Sequence, residues 1–258
     1  MISLKKNEFL ENIDKCEKLY SSHDFENKSF KIEVFVECMK DWSTLSNYEQ
    51  VKEWYLSIKG NASMKVEEIG VLDCKDWYLD KNDGYVKHIS NKFFLVQGLK
   101  VTEAYDREVS NWDQPIITEN NYDIGLLGII RKNFNSVPHY LVEAKSEPGN
   151  PGLVQISPTI QATSSNLNRV HLGRNPLYKE IFSNTNNNGF FVVFDQLCTE
   201  DGGRLNNKKN RGMIVQASDE FDIPIYENFN WLSLFQIKKL ISETDWVNPH
   251  VRSLISSL

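Results

Sequence analysis

Between residues 92 and 216 the chain breaks into short segments rich in β-branched and aromatic residues, most of them bounded by Gly, Pro, Asn or Asp. Residues 92–101, 116–118, 124–132, 139–145, 154–160, 190–197 and 213–216 carry the composition that pleated strands favour. Helical patterns flank this middle. Phe9, Leu10, Ile13, Cys16, Leu19 and Tyr20 recur at helical spacing near the start, as do Tyr48, Val51, Trp54, Tyr55 and Ile58. Asn47 is a plausible N-cap for the second of these, and Gly60 a stop. Near the end, Ser233 and Gln236 have the spacing of a capping box, and Leu234, Ile237 and Ile241 line one face behind them. Asn248 and Pro249 open a last helix with Val251, Leu254, Ile255 and Leu258 as its apolar stripe. Strands flanked by helices predict an α+β fold with a mixed or antiparallel sheet.

A chain of 258 residues has ample material for a core, and 40% hydrophobic with 25% charged residues is ordinary for a globular protein. The net charge of −6 argues against a general nucleic-acid binder. Cys16, Cys38, Cys74 and Cys198 have no paired spacing, which suits reduced thiols rather than a disulfide framework or a zinc site. The N-terminus lacks the apolar stretch of a signal peptide, and no apolar run reaches membrane-spanning length. A cytoplasmic location is the expectation, with neither nucleic acid nor membrane as partner.

Polar residues crowd into the middle strands. Glu143 to Asn150, Val154 to Thr163 and Asn168 to His171 bring Lys, Glu, Gln, Thr, Asn, Arg and His into segments that otherwise read as half-buried strand. Such groups cost free energy unless something hydrogen-bonds them, and a ligand rich in hydroxyls and phosphate oxygens would. Gln155, Ser157, Thr159 and Gln161 alternate, so a single strand would project all four to one face, opposite Val154, Ile156 and Ile160. Glycine-rich Rossmann and P-loop signatures are absent. His139 and Glu143 share a strand face but do not by themselves make a metal site.

The same residues carry a family resemblance. Phe93 to Gly98, Trp112 to Ile117, Gly125 to Ile130, Ala144 to Asn150, Ser157 to Thr163, Arg169 to His171, Asn210 to Met213 and Trp231 to Leu234 follow the order seen in the NDP-hexose 2,3-dehydratases. The chain resembles that family from about Trp77 to its end. The resemblance implies a Nudix-like α+β fold, with 73–258 as the sugar-nucleotide module; residues 1–72 read from their spacing as an N-terminal helical segment. The Glu-rich helical box with which Nudix hydrolases bind magnesium is missing, so pyrophosphate hydrolysis is not expected. No cofactor and no metal are implied. Members usually carry two copies of the module in one chain and this sequence has one, so homodimerisation is expected to supply the second.

The implied reaction is elimination of water from dTDP-4-keto-6-deoxyglucose. The C4 ketone acidifies the C3 proton, a base removes it to form an enolate, and the C2 hydroxyl leaves with help from an acid. The product is a 3,4-diketo-2,6-dideoxy sugar nucleotide. A 4,6-dehydratase should precede this step, and a 3-ketoreductase or aminotransferase should follow. His171 is the first candidate for acid–base work, with a backbone or phosphate contact as the other reading. Lys145 and Glu147 should share a strand face. Lys145 would stabilise the enolate or hold a phosphate, and Glu147 would act as base if burial raises its pKa, unless the pair only orders the following turn. Tyr178 is a candidate hydroxyl donor, the more so because Leu167 stands where the family tends to have Tyr. Leu172 likewise replaces a Gly after the His.

For binding, the row Gln155, Thr159, Gln161 and Thr163 suits sugar hydroxyls, with Asn150 and Asn166 beside it. Arg169 and Arg174 flank His171 and suit a diphosphate, as does Arg211 from the basic cluster with Lys208 and Lys209. Together with Lys145 they would make a locally basic pocket on an acidic protein. Trp112 would stack on the base while Gln114 bonds its edge, or would simply be a core Trp. Two alternatives stay open beside the dehydratase. One is a non-catalytic dTDP-sugar binding module, the other an epimerase or lyase acting on a related keto-sugar nucleotide.

Overall fold

The protein's computed structural model describes residues 2–119, 124–167, 175–183, 185 and 189–258. Three helices come first: α1 (Ile2–Leu19), α2 (Lys28–Met39) and α3 (Tyr48–Gly60). A five-stranded sheet joins β1 (Trp77–Leu79), β2 (Val86–His88), β3 (Leu95–Val101) and β4 (Trp112–Thr118), with β10 (Leu205–Asn206) parallel to β4. The larger sheet holds β5 (Gly125–Phe134), β6 (Val137–Ser146), β7 (Val154–Pro158), β8 (Ile160–Ala162), β9 (Phe190–Thr199), β11 (Lys209–Ala217) and β12 (Phe229–Leu232). Its β11 runs parallel to β5 and antiparallel to β9. Short helices α4 (Ser164–Leu167) and α5 (Lys179–Ser183) lie between strands, and α6 (Leu234–Glu243) and α7 (Pro249–Ile255) close the chain. The fold is the α+β, mixed-sheet arrangement that the sequence pattern predicts. Among the described residues no helix is long and apolar enough to cross a membrane.

Local chemistry sets the helix ends as expected. Asn47 caps α3 reciprocally with Gln50, and Ser233 caps α6 reciprocally with Gln236. Asn248 Oδ1 accepts from Val251 N at 3.0 Å, with Pro249 at the first turn of α7. Helix α2 is different. Phe30, Ile32, Val34 and Val36 are apolar at every second position, which is a strand pattern, yet the segment is helical. Its Glu33 and Glu37 are four residues apart and therefore on one helix face. Both meet Arg131 of β5, at 2.6 and 2.8 Å. The guanidinium also donates to Gln216 Oε1 at 2.6 Å and to Tyr140 Oη at 3.2 Å. A buried cation thus dictates which face of α2 turns inward.

The larger sheet is covered on both faces, so β5 reads as an almost unbroken apolar run. Leu127 and Ile129 face a cluster with Val51, Tyr55, Val142, Ile156, Leu234, Ile237 and Val251, under α3, α6 and α7. Leu126 and Ile130 face the other way, toward Leu141, Phe182, Met213, Phe229 and Trp231. Gly128 is needed here because a Cβ on it would lie 2.3 Å from Phe182 Cε1.

The strand expected over residues 154–160 is interrupted. Strands β5 and β6 pair at their hairpin end and then diverge, and the incoming chain fills the gap by pairing first with β6, as β7, and then with β5, as β8. Thr159 sits at the fork. Its hydroxyl accepts from Ile130 N at 2.9 Å and donates to Leu141 O, joining the two parted strands.

Candidate active-site cleft

The last residues of β6 place Glu143 and Lys145 on one side, and Glu147 follows in the same phase. A tight turn comes next, closed by Glu147 N donating to Leu153 O at 2.9 Å, with Gly152 and Leu153 at positive φ. Asn150 Nδ2 donates into this turn, to Lys145 O and Leu153 O, both at 3.3 Å. Its amide therefore fixes the loop that carries Lys145 and Glu147.

These two residues open onto a cleft of about 300 Å³. Gln161, Thr163 and Asn166 enter it from β8 and α4, Glu119 from the end of β4, and Glu200, Lys208 and Asn210 from the segments around β10. His250 enters from α7. Lys145 Nζ donates to Gln161 O at 3.1 Å and pairs with Glu147 Oε1 at 3.2 Å. Asn248 Nδ2 donates to Gln161 Oε1 and to Ser157 Oγ, each at 3.0 Å, so the cap of α7 also orients a cleft side chain. Lys208 pairs with Glu119 at 3.3 Å. Glu200 Oε1 accepts from Asn210 Nδ2 and lies 3.5 Å from His250 Nδ1.

A smaller hollow of about 150 Å³ adjoins the first, with Lys145 and Gln161 shared between them. Its carboxyl is Glu143, which accepts from Asn228 Nδ2 at 3.0 Å. Burial pushes this group up to about 7, against the pull of Lys145, with Glu147 adding to the rise. A carboxyl that ionises near neutrality in the folded state, and lower when unfolded, destabilises the fold as pH rises between those values. Below both pKa values the penalty vanishes. Glu143→Gln keeps the acceptor for Asn228 and is expected to be more stable than the parent at pH 8 by on the order of 2 kcal/mol. The gain should fade toward pH 4. Urea denaturation at both pH values checks this, and an equal gap at the two would contradict it.

Of the residues singled out in the sequence, the cleft gathers Lys145, Glu147, Gln161, Thr163 and Asn166. Others lie elsewhere. Trp112 Nε1 donates to Gln114 Oε1 at 2.8 Å, and Gln114 Nε2 donates to Gly203 O at 2.9 Å. The two satisfy each other at the start of β4, and the length of that strand, about 20 Å, separates them from Glu119. Gln155 Nε2 is committed to Asp245 O at 2.8 Å. Thr159 lines the smaller hollow with Lys145 and Gln161, although its hydroxyl is committed to the fork. Tyr178 Oη donates to Pro224 O at 2.7 Å and its ring packs on Phe229. Burial holds its hydroxyl above the usual phenol range. Arg211 makes a bidentate pair with Asp195 of β9, at 2.8 and 2.6 Å. Asn150 orders its turn. Arg169, His171 and Arg174 lie outside the described residues.

Of the cations expected to form a basic pocket, the described residues place Lys145 in this cleft, where Lys208 joins it. The two lysines are balanced against Glu119, Glu147 and Glu200. Sequence reasoning missed Glu143, Glu200, Asn210 and His250. For Glu143 a signal existed, since it continues the alternation of Lys145 and Glu147. Asn210 opens the Asn210–Met213 motif, whose Arg211 drew the expectation instead; Glu200 and His250 come from distant elements, and nothing in their local patterns points to this cleft.

Comparison with known proteins supplies the family. The chain is 38% identical over 214 residues to a dTDP-4-dehydro-6-deoxy-alpha-D-glucopyranose 2,3-dehydratase of Amycolatopsis orientalis, an overlap covering 81% of this chain and 44% of that protein. It is 35% identical over 205 residues to the enzyme of the same name from Saccharopolyspora spinosa, covering 80% of this chain and 41% of that one. The chain thus spans less than half the length of these curated relatives. Among solved structures it has a slight likeness to a C. elegans Ap4A hydrolase (TM-score 0.33, 10% identity, 52% of this chain and 93% of that one). Another is an ADP compounds hydrolase (TM-score 0.36, 11% identity, 63% of this chain and 83% of that one). Likeness that slight says nothing about chemistry. The NDP-hexose 2,3-dehydratase model, by contrast, matches residues 48–258, from α3 through every element of the cleft. With that match and these relatives, the chain belongs to the NDP-hexose 2,3-dehydratase family.

Proposed function

We propose that the cleft takes a dTDP-linked 4-keto-6-deoxyhexose and eliminates water across C2 and C3 to give the 3,4-diketo-2,6-dideoxy sugar nucleotide. The observation that carries this reading is the convergence of Lys145, Glu147, Gln161, Thr163 and Asn166 on one cavity, in a chain of this family. An elimination of this kind needs a cation or donors at the developing enolate oxygen and a group to move protons. Lys145 is placed to serve the enolate. Its ammonium stands where the two hollows meet, and its carbonyl and carboxylate partners leave it a third N–H for a ligand. Gln161, with Oε1 held by Asn248, offers its NH₂ to sugar hydroxyls. Glu147 and His171 are candidates for the proton, and Arg169 and Arg174 for the diphosphate.

In the same reading the catalytic module is residues 73–258, and two cytoplasmic chains associate to supply the paired modules of the longer relatives. Its reactive diketo product passes to a 3-ketoreductase or aminotransferase. A monomeric mass by light scattering at working concentration would remove the dimer.

Incubation with dTDP-4-keto-6-deoxyglucose and a 3-ketoreductase, followed by mass spectrometry, should show a sugar nucleotide that has lost one water. Because the chain spans only 44% of its first relative, a second reading is a binding module without turnover. Tight dTDP binding with no loss of water would favour that module. Solvent deuterium entering C3 without loss of water would favour an epimerase.

A further inference from the structure

We infer that Glu200 and His250 form a proton-handling dyad in the cleft wall, with the imidazole taking the C3 proton of the keto sugar and Glu200 positioning it. This deepens the proposed function and rests on it.

The dyad is built by three separate parts of the fold. His250 is on the first turn of α7, whose start is fixed by Asn248, and Asn248 also holds Gln161. The imidazole is therefore placed relative to the sugar-binding wall by one shared side chain. Glu200 follows the last residue of β9. Its Oε1 receives Asn210 Nδ2 and stands 3.5 Å from His250 Nδ1. Asn210, on β11, reaches this position because Gly125 on the paired strand has no side chain, and a Cβ there would lie 2.5 Å from Asn210 Oδ1. With Nδ1 turned to the carboxylate, Nε2 is the ring nitrogen with a lone pair for a ligand. A separation of 3.5 Å is long for a hydrogen bond, but such contacts often tighten only when substrate is bound.

The charged groups around the imidazole are Glu200, Lys145 of β6 and Glu147 just after that strand, and Glu119 and Lys208 line the same cavity. Burial, joined by Lys145, holds His250 below the ordinary histidine range, and Glu200 and Glu147 oppose this. Burial thus favours the neutral ring, the form that a base requires.

The step balances. Nε2 accepts the C3 proton, and the C3–H electron pair forms the C3–C4 double bond of an enolate whose oxygen Lys145 faces. As the C4 carbonyl returns, the C2–O bond breaks, and the imidazolium proton leaves with the hydroxyl as water. The C2–C3 enol then becomes the 3-ketone. No oxidant or co-reactant is consumed.

The test compares wild type with His250→Gln and Glu200→Gln, using substrate deuterated at C3. Loss of that label and release of water are followed together, and melting temperatures control for folding. His250→Gln should lower kcat by about 10²-fold or more with KM nearly unchanged, and slow label loss equally. Glu200→Gln should cost less. It should also move the acidic limb of the kcat/KM profile to lower pH, because the carboxylate that favours the imidazolium is gone; a merely structural role would not shift that limb. Turnover within threefold of wild type in His250→Gln overturns the dyad, as does an unmoved limb in Glu200→Gln. If His250→Gln does not fold, His250→Asn takes its place under the same criteria. Wild-type protein that neither releases water nor loses label overturns the proposed function and the dyad together. Active wild type with unaffected variants overturns the dyad alone.

Discussion

Replacing Lys145 by Met is expected to lower kcat by about 10²- to 10³-fold while leaving dTDP binding intact, a loss of roughly 3–4 kcal/mol in the transition state. The charge on the substrate's C4 oxygen appears only as the C3 proton leaves, so a group aimed at it acts on kcat more than on KM. Lys145 is the one lysine or arginine, among the described residues, that lines both hollows. It is tethered to Gln161 O at 3.1 Å and Glu147 at 3.2 Å, so its position is set before substrate arrives. Met keeps an unbranched stem of similar length and removes only the ammonium. Arg should rescue poorly, since a planar fork does not replace a compact charge within the same tether. The ion pair with Glu147 is partly exposed, so its loss should hardly change stability. Steady-state kinetics in the coupled ketoreductase assay would decide, and a kcat within threefold of the parent would remove Lys145 from the mechanism.

Arg131→Met is expected to have the largest effect on stability, about 3–5 kcal/mol, or roughly 10 °C in melting temperature for a chain of this size. The cost lies in what it leaves behind. Glu37 is 2% exposed, and burial already pushes its carboxyl above the usual range, against the opposing pull of Arg131. Without the guanidinium, the carboxylate keeps only Tyr140 Oη at 2.9 Å as a donor and must take up a proton or drag α2 away from β5. Glu33 is partly exposed and can turn to water. The double variant Arg131→Met with Glu37→Gln should therefore recover a large part of the loss, because the buried charge goes with its partner. Denaturation curves of the parent, both single variants and the double variant check this. Additive losses would show that no stranded charge is responsible.

Some of the cleft was legible in the chain because strand alternation is a backbone property. Lys145 and Glu147, two residues apart, had to share a side whatever β6 packed against. Over residues 154–160 the same rule reached less far, since Thr159 and Gln161 line the smaller hollow but Gln155 does not. The rule holds only within one continuous strand, and Thr159 ends that continuity where β5 and β6 part. Trp112 and Gln114 illustrate another limit. A polar-aromatic motif shows that its groups need partners, and here Trp112 found Gln114, and Gln114 a backbone carbonyl.

The sequence alone determined the helix caps at Asn47, Ser233 and Asn248, the strand-rich middle, the mixed α+β class and the resemblance to the family. All of these depend on contacts within a few residues, or on ordered motifs. Tertiary structure alone decided that α2 turns Glu33 and Glu37 toward Arg131, and that Glu200, Asn210 and His250 meet Lys145 in one cavity. Such meetings join elements tens of residues apart in the chain, and their free energy comes from burial and charge pairing that no local pattern encodes.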